Sequence, residues 1–252
     1  MQLTELASTE LDWLRSRTDA DGFAGYDANG WDESTWILHA MYENVDLPSD
    51  ITYDDEARDT DPLVEVASGG CNAKLIGCPG GGSRWPGPGW ERLAWNSLAQ
   101  RQSLQLFSDG INPCFRTFRF PTLSWPLSIR PPAEGSLDWE QLETLVSRLS
   151  SHTEGGMSAT CYAYYGSLVC RDWNDSGIYF CSLGDILTAY TSPHFYGTPS
   201  NLWPDDRSWM VYTDSDLWGT KVSGSRELIA SLQEDELLET VRSGAHSPEV
   251  AT

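Results

Sequence analysis

Residues 201–224 read NLWPDDRSWMVYTDSDLWGTKVSG. Within them, SWMVYTD (208–214) alternates side chains across a strand. Trp209, Val211 and Thr213 fall on one face, and Met210, Tyr212 and Asp214 on the other. The Asp214-Ser215-Asp216 turn then leads into LWGTKVSG, the pattern of an antiparallel hairpin. Upstream, ATCYAYYGSLV (159–169) and GIYFCSL (177–183) are two further strand candidates. Downstream, SRELIASLQEDELLETV (225–241) is helical, with Ser225 as cap and Leu228, Ile229 and Leu232 facing inward.

Moving towards the N-terminus, EGSLDWEQLETLVSRLSSH (134–152) is the strongest helix. Leu142, Leu145, Val146 and Leu149 follow the i, i+3, i+4, i+7 rule, and Ser136 is the expected cap. SWPLSIRPP (124–132) suits an extended edge, because proline cannot donate to a ladder. WERLAWNSLAQRQSLQLF (90–107) reads as helical. So does the segment around residues 3–16, where Leu3, Leu6, Leu11 and Leu14 share a helical face beside Trp13. Ser34 is placed to cap a short helix through WILHAMYE. The expected fold class is therefore α+β: a helical N-terminal half, then an antiparallel sheet with a flanking helix in the C-terminal half. The expected organisation is an acidic helical segment (1–68), a Gly/Pro-rich loop or linker (69–90), an α+β domain (91–243) and a loose tail (244–252).

Charge narrows the function. The 252 residues hold 37 acidic and 16 basic side chains, for a formal charge of -21. Residues 1–65 carry 17 acids against 3 bases, and residues 172–252 carry 13 against 4, while the middle is near neutral. Such a field repels phosphate backbones and anionic lipid surfaces, so neither nucleic acid nor membrane is an expected partner. It attracts a basic protein. The N-terminus, MQLTELASTELDWLRSR, lacks the basic and apolar regions of a signal peptide, and no long apolar run occurs. A cytoplasmic setting follows as an expectation, with all six cysteines (71, 78, 114, 161, 170 and 181) as thiols.

Motifs for chemistry fail on spacing. GCPGGGSRW lacks the Gly-Lys-Ser/Thr ending of a phosphate loop, and Trp85-Pro86 breaks a dinucleotide fingerprint. Cys71 and Cys78 are too far apart for a paired structural zinc ligand set. Asp19, Asp21, Asp27 and Asn29 lie in a Gly-rich loop, but neither calcium register puts an oxygen ligand and Gly at its fifth and sixth positions. Cys161 with His194 is an unsupported nucleophile–base pair. No metal or other cofactor is expected.

The polar-aromatic stretch remains. Its candidate binding residues are Trp203, Asp205, Asp206, Asp214, Asp216 and Trp218, with the aromatics as anchors and the carboxylates as orienting charges. GTPSNLWPDDRSWMVYTDSDLWGTKVSGSRELIASL, GWDESTWILHAMYE and SWPLSIRPPAEGSLDWEQLETLV together resemble a group of acidic, tryptophan-rich actinobacterial cytosolic proteins. In style, though not by motif, that group is similar to immunity proteins of polymorphic toxins. The resemblance implies no catalytic residues. The charge of -21, the absence of active-site motifs and the tryptophan cluster point to a non-enzymatic, immunity- or antitoxin-like binder that neutralises a basic protein partner through an acidic and aromatic surface. The alternative is an enzyme using Asp205, Asp214 and Asp216 as general acid or base on a small polar substrate.

Overall fold

Side-chain alternation along the strands governs the architecture. The structure is a computed structural model that describes residues 3–21, 25–60, 87–107, 111–114, 124–166, 175–192, 194–195 and 197–242. The chain opens with β1 (Thr4–Leu6), α1 (Asp12–Arg15), β2 (Thr18–Asp21), β3 (Tyr26–Ala28), β4 (Glu33–Leu38) and β5 (Met41–Glu43). Then come α2 (Tyr53–Thr60), β6 (Glu91–Leu93), α3 (Trp95–Gln102), β7 (Ile129–Arg130) and α4 (Trp139–Ser151). The remainder holds β8 (Thr160–Tyr165), β9 (Gly177–Ser182), α5 (Asp185–Tyr190), β10 (Asn201–Pro204) and β11 (Met210–Tyr212). It closes with β12 (Gly219–Gly224), α6 (Arg226–Gln233) and β13 (Thr240–Arg242).

Eight strands form one antiparallel sheet in the order β1-β9-β8-β10-β11-β12-β4-β13. A second sheet, β6-β5-β7, has three strands, and β2 pairs with β3. The expected helical N-terminal half is thus corrected. The described residues are mostly sheet, and the six short helices among them are spread along the chain. Residues 3–16 divide into β1, a 3-10 turn at Ser8–Leu11 and the four-residue α1. The stretch after Ser34 is β4 and β5, not a capped helix. Here long-range pairing overrides local propensity, because β4 lies between β12 and β13 and completes both ladders. Helix in 90–107 is confined to α3, behind β6. The glycine-rich stretch up to residue 86, Cys71, Cys78, Cys170 and the tail from 243 lie outside the described residues.

The inner face of the large sheet buries Ile37, Cys161, Ala163, Leu202, Trp209, Val211 and Val222. Against it pack Leu142, Leu145, Val146 and Leu149 of α4, Ile186 and Ala189 of α5, and Leu228, Ile229 and Leu232 of α6. Ser225 caps α6 as its position implies, its hydroxyl accepting from Leu228 N–H at 3.3 Å. For α4 the cap is Asp138 rather than Ser136. Asp138 accepts from Gln141 N–H at 2.7 Å, while the Ser136 hydroxyl is spent on the Leu137 carbonyl. The outer face carries Trp36, Tyr164, Ile178, Trp203, Met210 and Tyr212, covered in part by Leu11, Leu14 and Ala28. A separate core lies around the small sheet: Met41, Leu93, Trp95, Leu98, Trp125, Ile129 and Trp218.

Polar groups in this interior set two expected outcomes. His39 is fully buried; its Nδ1–H donates to the Ala133 carbonyl at 2.7 Å and its Nε2 accepts from the Thr220 hydroxyl at 2.9 Å. That arrangement is the neutral imidazole, and burial pushes its pKa down to about 4. Because the unfolded chain takes up this proton near pH 6.5 and the native one does not, stability is intact above pH 6.5. It is lost as pH falls towards 4, by about 3 kcal/mol. Denaturant titrations across this window are expected to show that loss in the native sequence and not in His39→Gln; identical slopes would acquit His39. The Tyr165 hydroxyl is buried without a hydrogen-bond partner, its ring packed 4.8 Å from Phe195. Tyr165→Phe removes the unsatisfied group and keeps the ring, so it should raise stability by about 1 kcal/mol. A lowered melting temperature would mean that the hydroxyl is satisfied in solution.

Candidate functional site

The strand meander divides the six residues that sequence reading grouped. β10 and β11 pair antiparallel with Asn201 opposite Tyr212. Asp205 and Asp206 therefore follow one end of the sheet, and Asp214 and Asp216 the other. The separation along the strands is roughly 15–20 Å at strand rise. Asp205, Asp214 and Asp216 do not converge on one substrate atom.

At the far end, Asp214 is buried, not presented. Its carboxylate accepts from Ser215 N–H at 2.6 Å and from the Tyr212 hydroxyl at 3.5 Å. Gly135 clamps this turn, donating its N–H to the Leu217 carbonyl at 2.8 Å. Its φ of +68° and a Cβ position only 2.9 Å from Ser215 Cα leave no room for a side chain. Half-buried Asp216 lies near Glu134, whose pKa is raised by burial first and then by Asp216, against a hydrogen bond from Trp218. Trp218 itself is 3% exposed and packs 5.8 Å from Trp125 and 6.4 Å from Trp95. It is a core residue of the small-sheet cluster, and its indole is not offered to a partner.

At the near end, Trp203 is 2% exposed and also internal. It is, however, the floor of an aromatic row on the outer face. Register places Trp203 beside Tyr162 on β8, and Tyr162 beside Phe180 on β9. The Tyr162 ring stacks on Trp203 at 5.6 Å and 6°, and meets Phe180 edge-on at 5.8 Å. Trp13 of α1 meets Trp203 edge-on at 5.4 Å and Trp31 at 6.5 Å. Trp13, Trp31 and Tyr162 are partly exposed, and Phe180 is 40% exposed. A sheet face covered on one side by α1 thus ends in an uncovered aromatic edge.

Charge borders that edge. The Tyr162 hydroxyl donates to Asp205 Oδ1 at 3.0 Å. Its pKa is raised by desolvation first, then by Asp205 and Glu10, with Arg207 opposing. Asp205 and Asp206 are exposed, and Asp206 orders its own turn by accepting from Ser208 N–H at 3.0 Å. Arg207 takes a left-handed φ of 55°, rare for a residue with a Cβ. Three contacts hold it there: its N–H donates to the Pro204 carbonyl at 2.9 Å, Trp31 Nε1–H donates to its carbonyl at 3.0 Å, and its guanidinium sits 4.4 Å over Trp13. Arg17 lies over the same indole at 5.9 Å. The Trp13 face is therefore occupied, and the open aromatic surface is Tyr162 and Phe180, rimmed by Glu10, Asp205 and Asp206.

This surface recruits two of the proposed carboxylates, with Trp203 beneath them, and adds Tyr162, Phe180, Trp13 and Trp31, which sequence reading missed. The signal for two of them was in the strands. TCYAYY and GIYFCS place aromatics at both alternating positions, so neither face is polar enough to be plain solvent face. Cys161 and Cys181 are directly opposed in β8 and β9, both inside the inner core. Burial pushes the Cys181 thiol up to about 12 and Cys161 higher, so neither is a nucleophile at neutral pH. His194 is exposed, away from that interior. Among the described residues no three His, Cys, Asp or Glu side chains are grouped to hold a metal ion, and no helix is long and apolar enough to cross a membrane. Compared with models of protein families, with curated proteins and with solved structures, the chain matches none.

Proposed function

We propose that this protein is a non-enzymatic binder of the immunity or antitoxin kind, which neutralises a basic protein partner. The observation that carries the reading is the juxtaposition of exposed Phe180 and partly exposed Tyr162 with Glu10, Asp205 and Asp206 on one end of the large sheet. Carboxylates attached to a chain of charge -21 draw a cationic partner into encounter. The aromatic edge, built on buried Trp203 and therefore rigid, then supplies the desolvated contact that slows departure. A partner whose active cleft is lined by Lys or Arg would be covered by this surface.

Capture from the native host tests it. Bait of native sequence should retain a basic protein that a Phe180→Ser, Asp205→Lys, Asp206→Lys bait does not. Because Asp205 and Asp206 are exposed and Phe180 is partly so, the variant should remain folded, and its melting curve beside that of the native chain is the control. Retention of the same basic protein by both baits, or of an acidic one only, would remove the proposal.

A further inference from the structure

A second surface lies away from the aromatic edge. β4 runs from the Trp31 end of the sheet towards β5, and the loop of residues 44–52 follows β5. That loop, Asn44-Val-Asp-Leu-Pro-Ser-Asp-Ile-Thr52, exposes Val45 at 85%, Leu47 at 39% and Ile51 at 40%. Single exposed apolar residues are ordinary, but here three fall within seven positions of one loop.

The loop is held in place. Asn44 N–H donates to the Ser128 carbonyl at 2.8 Å, Ser128 N–H to Pro48 at 3.1 Å, and Leu127 N–H to Ile51 at 2.9 Å. Within it, the Asn44 side chain accepts from Asp46 N–H at 3.0 Å, an Asx turn. At its end the Thr52 hydroxyl donates to Asp55 at 2.7 Å, and Asp55 N–H returns a bond to that hydroxyl at 3.2 Å. The apolar side chains are thus presented by an ordered backbone, which lowers the entropy lost on binding. Asp46 and Asp50 sit among them, and residues 44–52 contain no basic residue.

We infer that the 44–52 loop is a second docking surface, and that its occupant is a basic protein segment with apolar side chains between its cationic ones. Charge complementarity argues for that occupant. Asp46 and Asp50 flank Leu47, so a segment that buries Leu47 brings its own charges against these carboxylates. A second copy of this chain would bring a charge of -21 against an equal charge, which disfavours self-association.

The test uses the full chain and an amidated peptide of alternating lysine and leucine at physiological ionic strength. Its affinity for the native sequence is compared with that for Val45→Ser, Leu47→Ser, Ile51→Ser. These substitutions leave the charge unchanged, so general attraction to an acidic protein cancels. Binding should weaken roughly tenfold or more in the variant, and amide shifts on binding should map to residues 44–52. The triple variant should lose the shifts of residues 44–52 while any shifts around Phe180 persist, which separates this inference from the reading of the aromatic edge. If the triple variant does not fold, Val45→Ser and the shift map on the native chain decide. Equal affinity for native chain and variant, shifts confined to the Phe180 edge, or self-association lost with the variant would each overturn the inference.

Discussion

Asp138→Ala is expected to lower stability by about 3–5 kcal/mol, the cost of breaking a buried charge network from one side. One Asp138 oxygen caps α4 through Gln141 N–H at 2.7 Å. The other accepts from Arg92 at 2.8 Å and from the Tyr42 hydroxyl. Arg92 also donates to the Leu237 carbonyl at 3.2 Å, so one guanidinium joins the small sheet, α4 and the segment before β13. Burial, reinforced by the Asp138 charge, pushes the Tyr42 phenol far up, so it stays a neutral donor. Removing the carboxylate strands a half-buried guanidinium and a buried phenol, and frees the first turn of α4. Losing the cap alone would cost about 1 kcal/mol. Asp138→Asn retains a capping oxygen and should fall between the two. Urea unfolding is the measurement. A loss near 1 kcal/mol for Ala would reduce Asp138 to a cap.

Trp203→Ala and Trp218→Ala should each cost about 3–5 kcal/mol. Trp203 belongs to the outer-face cluster and Trp218 to the small-sheet core, with no shared buried neighbours between the two groups. Their losses should therefore add within about 0.5 kcal/mol in the double variant. A loss below 1 kcal/mol at Trp218, with partner binding abolished, would place its indole at an interface instead. The stacked pair makes Trp203 doubly informative. Without it, Tyr162 loses the ring beneath it, and binding falls with stability. This residue thus supports the surface without touching a partner.

The C-terminal half was legible because its partners are near in sequence. β11 and β12 are consecutive, and Trp209 and Val211 face inward while Met210 and Tyr212 face outward, as alternation implied. The stripe on α4 was equally plain. β4 was not legible, because its partners come from residues 219–224 and 240–242, and no local pattern announces a strand completed from so far away. Leu3, Leu6, Leu11 and Leu14 satisfy a helical period, yet they are distributed over a strand, a 3-10 turn and one helical turn. At the surface, the exposure of Asp205 and Asp206 was legible because acids in a turn stay in solvent. Phe180 was hidden because an aromatic in a strand reads equally as core. The tryptophans that drew attention are internal for the ordinary reason that large rings fill cores.

Association kinetics with the captured partner test the role of the outer aromatic edge and its carboxylates most directly. The rate constant for the native chain should fall steeply as salt rises, since steering is screened over about 8–10 Å. Asp205→Lys, Asp206→Lys should slow association and flatten that dependence, while Phe180→Ser should chiefly speed dissociation. Association and dissociation rates equal to those of the native chain in both variants, at every ionic strength, would contradict the account.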